Sequence, residues 1–121
     1  FTLTDNDIAQ ALVRKGREGI PVQGVIESRN IGGRGSDFEA LQKAGEDINC
    51  PLEFLKDGNP YMMHHKVIII DDEVVITGSY NFTASAADRN DENLLIIHSS
   101  EIAQIYGEAF KKVFQQAKEG Q

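Results

Sequence analysis

The segment HHKVIIIDDEVVITGSYN, residues 64–81, decides how the rest of the sequence is interpreted. Two stretches rich in Val and Ile, 65–70 and 74–79, lie on either side of the acidic triplet 71–73. β-Branched residues favour strands, and a short polar connection between two such runs predicts a tight turn. The segment is therefore predicted to form an antiparallel hairpin with an apolar body.

Polar side chains collect at one end of this predicted hairpin. Successive side chains in a strand point to opposite faces, so His64 and Lys66 share a face while His65 points to the other one. Ser79 and Asn81 follow the second strand at the same end. A cation, two hydrogen-bond donors and an imidazole that can act as a nucleophile suit an anionic phosphate.

The other segments alternate between helix and strand. A capping signal at 4–7 begins a helix that ends near Gly19, and a long amphipathic helix is predicted at 100–118. Further predicted elements are strands at 21–28, 52–55 and 93–98 and a short helix at 36–45. The predicted fold class is α/β, with a mixed β-sheet flanked by helices, in a single domain spanning residues 1–121. The inner side of the long helix is predicted to carry Ile102, Ile105, Tyr106, Ala109, Phe110, Val113 and Phe114.

Composition narrows the function classes only in part. The chain has 121 residues, 40% of them apolar and 26% charged, with a net charge of −7. This charge argues against binding nucleic acid through overall electrostatics, although a local basic groove stays compatible with it. No apolar run is long enough for a transmembrane segment. The chain opens at Phe1 without an initiating methionine, as a fragment or processed product does, so its localisation is left open.

The polar end of the hairpin resembles the HKD motif of the phospholipase D superfamily. Six positions within eighteen residues match that motif without a gap, namely His64, Lys66, Asp71, Gly78, Ser79 and Asn81. Glu92, in the segment 90–93, is similar to the acidic residue that single-motif members place beside the histidine. The resemblance covers nearly the whole chain. It departs at the start, where the family has a further strand, helix and strand, of which we expect at most the last residues here.

The resemblance implies a mechanism for the polar residues. His64 attacks phosphorus and forms a phosphohistidine, which water or an alcohol then cleaves. Glu92 accepts the proton on the other ring nitrogen and so sets the tautomer. Lys66 and Asn81 hold the non-bridging oxygens, where charge accumulates in the transition state, and Ser79 donates a further hydrogen bond.

Asp71 and the residues after it are expected to serve the structure around the site. Asp71 lies five residues past Lys66 at the predicted turn, so an orienting or structural role is expected. The acidic triplet is interpreted as a solvated turn, and neither a metal ion nor another cofactor is implied.

The proton donor for the leaving group has to come from elsewhere. His65 points to the wrong face, and His98 lies six residues beyond Glu92, roughly 20 Å along a strand at 3.3 Å per residue. We therefore expect a second HKD motif, supplied either by a homodimer mate or by another domain of the parent chain.

The expected function is hydrolysis of a phosphodiester bond without a metal ion, by a nuclease-like enzyme. The alternatives are a phospholipase D or cardiolipin hydrolase acting on phospholipid head groups and a non-catalytic module that binds phosphate. Nucleic acid and phospholipid are thus both possible substrates, and fold alone does not choose between them.

Overall fold

The structure, a computed structural model, describes residues 6–27, 37–59, 66–78 and 93–120. Helices and strands alternate in the first half of the chain, and three strands precede a long final helix. The elements in chain order are α1 (Asn6–Arg17), β1 (Val22–Ile26), α2 (Phe38–Ala44), β2 (Leu52–Lys56), β3 (Val67–Ile70), β4 (Val74–Gly78), β5 (Leu94–His98) and α3 (Ser100–Glu119). The predicted α/β class is confirmed.

Both parallel and antiparallel pairing occur. β1 and β2 are parallel, with Val22 opposite Leu52 at one end and Ile26 opposite Lys56 at the other. β3, β4 and β5 form an antiparallel sheet in that spatial order. Within the described ranges these pairings make two sheets, and none of their hydrogen bonds joins β1 to β3.

One helix packs against both sheets. α3 contacts β1 and β2 as well as β3 and β4, so it holds the two sheets side by side. The helix begins at a capping residue, Ser99, whose side chain accepts a hydrogen bond of 3.2 Å from the backbone N–H of Ile102. None of the helices in the described part of the chain has the length and apolar content needed to cross a membrane.

The core lies mainly around the parallel pair. One cluster joins α1, α2 and both parallel strands through buried residues such as Ala9, Ile26, Leu41 and Phe54. Ile68 of β3 packs against this cluster, which connects the antiparallel sheet to it. A second cluster joins Val25, Phe114 and Ala117, and other apolar side chains of α3 pack against it.

The prediction for the inner side of α3 is wrong at three of its seven positions, Ile102, Ile105 and Ala109. Ile102 and Ile105 are exposed, Ile105 by 69%, whereas Ala103 is fully buried. Ala103, Phe114 and Ala117 are the buried residues of this helix. Adjacent positions on a helix point about 100° apart, and alanine lets the helix approach the sheet closely. The prediction placed Ile102 and Ile105 on the buried face because they are large and apolar. The size of an apolar side chain does not indicate how closely its helix packs on the sheet.

Candidate functional site

Three strand ends meet at one edge of the antiparallel sheet. Val67 pairs with Thr77, and Gly78 pairs with Leu94. Because neighbouring strands run in opposite directions, the start of β3, the end of β4 and the start of β5 lie together. We call this the motif edge, defined by Lys66, Gly78 and Leu94.

The predicted site residues either belong to the motif edge or are close to it in the sequence. Lys66 precedes β3 directly and is half-buried. His64, Ser79, Asn81 and Glu92 lie outside the described residues. Each is at most three positions along the chain from Lys66, Gly78 or Leu94, which limits its Cα to within about 11 Å of that residue. The fold thus connects all five positions to one edge, although they span 64–92 in sequence.

Asp71 lies at the opposite end of the hairpin. Asp71 and Asp72 have φ values of 55° and 54°, and two successive residues with positive φ match a type I′ turn. Five residues separate Asp71 from Lys66, a distance of roughly 17 Å along an extended strand. At that distance Asp71 does not contact a phosphorus atom bound beside Lys66. Its place is in the turn that pairs β3 with β4.

His98 is also remote from the motif edge. It pairs with Val74, the first residue of β4, and therefore lies at the turn end of the sheet. Four residues separate it from Leu94, a further distance of roughly 13 Å. Its position agrees with the expectation that His98 does not protonate the leaving group.

Gly78 allows β4 and β5 to approach closely at the motif edge. Its φ is +152°, a value that residues with a side chain rarely adopt. A Cβ at this position would collide with the backbone carbonyl oxygen of Asn93 and come within 2.9 Å of its carbonyl carbon. Glycine is needed here for both conformation and space. The two chain segments that carry Ser79, Asn81 and Glu92 consequently leave the sheet next to each other.

Sequence reasoning missed two buried carboxylates at the ends of the parallel strands. Asp57 is only 6% exposed, and Glu27 is only 2% exposed. Glu27 follows Ile26 and Asp57 follows Lys56, and Ile26 and Lys56 face each other in the register of β1 and β2. The one available signal was that each acid directly follows a strand whose last residues are largely apolar.

The described residues contain no cluster of three or more His, Cys, Asp or Glu side chains suited to a metal ion. A cavity of about 460 Å³ lies at the far ends of the parallel strands, beside Val22, Cys50 and Leu52. Those residues precede or begin β1 and β2, whereas the chain leading to His64 follows β2. The cavity therefore is not part of the motif edge.

Comparison with known proteins identifies the family. The model of the family described as cardiolipin synthase, phospholipase D-like domain, matches residues 1–114. The chain belongs to the phospholipase D-like family. This membership confirms the resemblance that was based on the HKD motif.

Related sequences carry two kinds of name. The chain is 38% identical over 106 residues to a phospholipase D of Rickettsia conorii, an alignment that covers 88% of this chain and 50% of the relative. It is 31% identical over 116 residues to the human mitochondrial cardiolipin hydrolase, covering 96% of this chain and 44% of that protein. The chain thus spans about half the length of these curated relatives.

Two solved structures share the fold of this chain. Nuc from Salmonella typhimurium, a phospholipase D family member, matches with a TM-score of 0.83 at 32% identity, covering 95% of this chain and 74% of that one. NucT from Helicobacter pylori matches with a TM-score of 0.84 at 26% identity, covering 96% and 76%. The arrangement of helices and strands is therefore that of the family.

Proposed function

We propose that this protein hydrolyses phosphodiester bonds without a metal ion, through a phosphohistidine formed on His64. The observation that carries the proposal is the motif edge, where Lys66, Gly78 and Leu94 lie at neighbouring strand ends. His64, Ser79, Asn81 and Glu92 are each within three positions of one of these residues in the sequence. Membership of the phospholipase D-like family supports it.

The first step forms one bond and breaks another at phosphorus. A ring nitrogen of His64 attacks, the phosphorus–oxygen bond to the leaving group breaks, and the leaving oxygen takes a proton from an acid on the opposite side. Lys66 and Asn81 stabilise the charge on the non-bridging oxygens, and Ser79 adds a hydrogen bond. Glu92 holds the proton of the other ring nitrogen. Water then attacks the phosphohistidine and gives its proton to the acid that was deprotonated in the first step. The phosphorus–nitrogen bond breaks, which releases the product and restores both His64 and the acid.

Removal of metal ions tests the mechanism directly. Hydrolysis of bis-p-nitrophenyl phosphate should persist in an excess of EDTA, because side chains supply all the charge stabilisation in this mechanism. The release of nitrophenolate is followed before and after chelation, with a metal-dependent phosphodiesterase as the control. Loss of activity in EDTA and recovery on adding a divalent ion would rule out the proposed mechanism.

The acid is proposed to be His64 of a second copy of the chain, with a second motif from another domain of the parent protein as the alternative source. In a twofold dimer the two motifs share one pocket, and each turnover uses both histidines. A single wild-type chain beside a His64→Ala chain then forms an inactive pair.

Subunit mixing distinguishes these sources. After exchange with about a tenfold excess of His64→Ala chains, activity per wild-type chain should fall about tenfold, because almost every wild-type chain has a mutant partner. Activity is measured as the steady-state rate on bis-p-nitrophenyl phosphate, for which the second histidine is needed chiefly to take the proton of the attacking water, and exchange is verified by native mass spectrometry. Activity strictly proportional to the wild-type fraction would show that each chain works without the other's histidine.

We propose nucleic acid, the substrate class that the sequence predicts, as the first candidate substrate. A phospholipid is the second candidate, and two observations favour it. Leu94 and Leu95, which begin β5 at the motif edge, are 50% and 59% exposed. Such apolar side chains suit the acyl region of an amphiphile, and the net charge of −7 disfavours a polyanion. Parallel assays on single-stranded DNA and on cardiolipin vesicles separate the two substrates. A non-catalytic phosphate-binding module would hydrolyse neither.

A further inference from the structure

The chain that leads to His64 is held by β1 as it leaves β2. The backbone N–H of Asp57 donates a hydrogen bond of 2.8 Å to the carbonyl oxygen of Ile26, which extends the parallel pairing one residue past the strand. Among the described residues, the buried Oδ2 of Asp57 has no hydrogen-bond partner. A buried, unpaired carboxylate oxygen costs folding free energy, and such costs are concentrated at functional sites.

The next residue is held by the last turns of α3. A Cβ at Gly58 would lie 2.5 Å from the carbonyl oxygen of Gln116 and 3.4 Å from the Cα of Ala117. A Cβ at Gly120 would lie 3.1 Å from the Cα of Gly58. The described glycines with positive φ are Gly19 and Gly78, so Gly58 is needed for space and not for its conformation. The backbone of Gly58 is therefore packed directly on the backbone of the helix.

We propose that Asp57 and Gly58 are positioning residues for the motif edge. They set the direction of the chain seven and six residues before His64, and Lys66 sets its other end at the start of β3. In this proposal a displacement of Gly58 changes where the chain can place His64, because the residues between must reach from Gly58 to Lys66. This proposal rests on the proposed function, because it assigns to Asp57 and Gly58 the placement of the attacking imidazole.

A pair of glycine variants tests the proposal. Gly58→Ala inserts a methyl group against the carbonyl oxygen of Gln116, and the control Gly45→Ala inserts one against the carbonyl oxygen of Leu52, at the other end of β2. Misplacing a nucleophile by about 1 Å costs on the order of 100-fold in rate. We expect kcat of Gly58→Ala to fall about 10- to 100-fold with KM within about threefold of wild type. Gly45→Ala should keep the wild-type kcat per folded molecule.

A milder variant keeps the test informative if Gly58→Ala does not fold. Gly120 has φ −91° and ψ −1°, which alanine adopts without strain, so Gly120→Ala should fold while pressing its Cβ on Gly58. Its kcat should fall about two- to fivefold with a nearly unchanged melting temperature, since the displacement is a few tenths of an ångström. Equal kcat values in Gly120→Ala and wild type would contradict the proposal.

Labelling of His64 separates failure of the proposal from failure of the proposed function. Diethyl pyrocarbonate modifies exposed neutral imidazoles, and peptide mass spectrometry gives the rate at His64 whether or not the chain turns over. We expect Gly58→Ala and Gly120→Ala to change this rate at least about twofold and Gly45→Ala to leave it unchanged, because only the first two displace the segment. An unchanged rate in all three variants overturns the positioning role. A wild-type chain that hydrolyses no phosphodiester overturns the proposed function instead.

Discussion

His64→Ala should abolish phosphodiester hydrolysis, whereas His65→Ala should retain most of it. The two residues are adjacent, but the strand alternation predicted from the sequence directs them to opposite faces, with His64 on the face of Lys66. Removing a nucleophile eliminates the covalent intermediate, so we expect kcat to fall by at least about 10⁴-fold. The initial rate on bis-p-nitrophenyl phosphate is the measurement.

The neighbouring histidine is the matched control for this result. His65→Ala removes the same side chain one residue away and should leave kcat/KM within about threefold of wild type, because it contacts no reacting atom. Circular dichroism establishes that both variants are folded. Equal losses in the two variants would mean that the face assigned to His64 and Lys66 is incorrect.

Gly78→Ala should disable the site by separating two strand ends. The new methyl group would meet the carbonyl oxygen of Asn93 and lie 3.2 Å from the Cα of Leu94. All of these contacts are with backbone of β5, which yields less readily than a flexible side chain. We expect kcat/KM to fall at least about 100-fold, since the segments carrying Asn81 and Glu92 move apart. The positive φ should also lower the free energy of unfolding by about 1–3 kcal/mol.

Gly19→Ala is the control for the conformational part of that effect. Gly19 also has a positive φ, 88°, but a Cβ there would have no neighbour within 4 Å. Its stability should fall by about 1 kcal/mol while kcat/KM per folded molecule stays unchanged. Urea unfolding and the hydrolysis assay are compared for both glycine variants. A similar kcat/KM in the two would show that the close approach of β4 and β5 is not needed for activity.

Local pattern alone predicted the elements that matter most for the site. The apolar runs beside the acidic triplet define the β3–β4 hairpin, and its register places Lys66 and Gly78 at one end. Both features depend on residues close in sequence, where strand alternation and turn chemistry are decisive. The family could be recognised for the same reason, because the HKD motif spans only residues 64–81 of the sequence.

Contacts between segments far apart in the chain determine several features that the pattern of apolar and polar residues does not predict. Ala103 rather than Ile102 faces the sheet, Asp57 is buried beside β1, and Gly58 packs on the end of α3. Each depends on how closely two elements approach, which hydrophobicity and spacing along the chain do not specify. The sequence by itself therefore determined the α/β class and the hairpin, and it predicts the chemistry of the hairpin's polar end. Only the tertiary structure decided which residues pack at the end of β2 and against α3, since backbone-to-backbone packing is set by segments far apart in the chain.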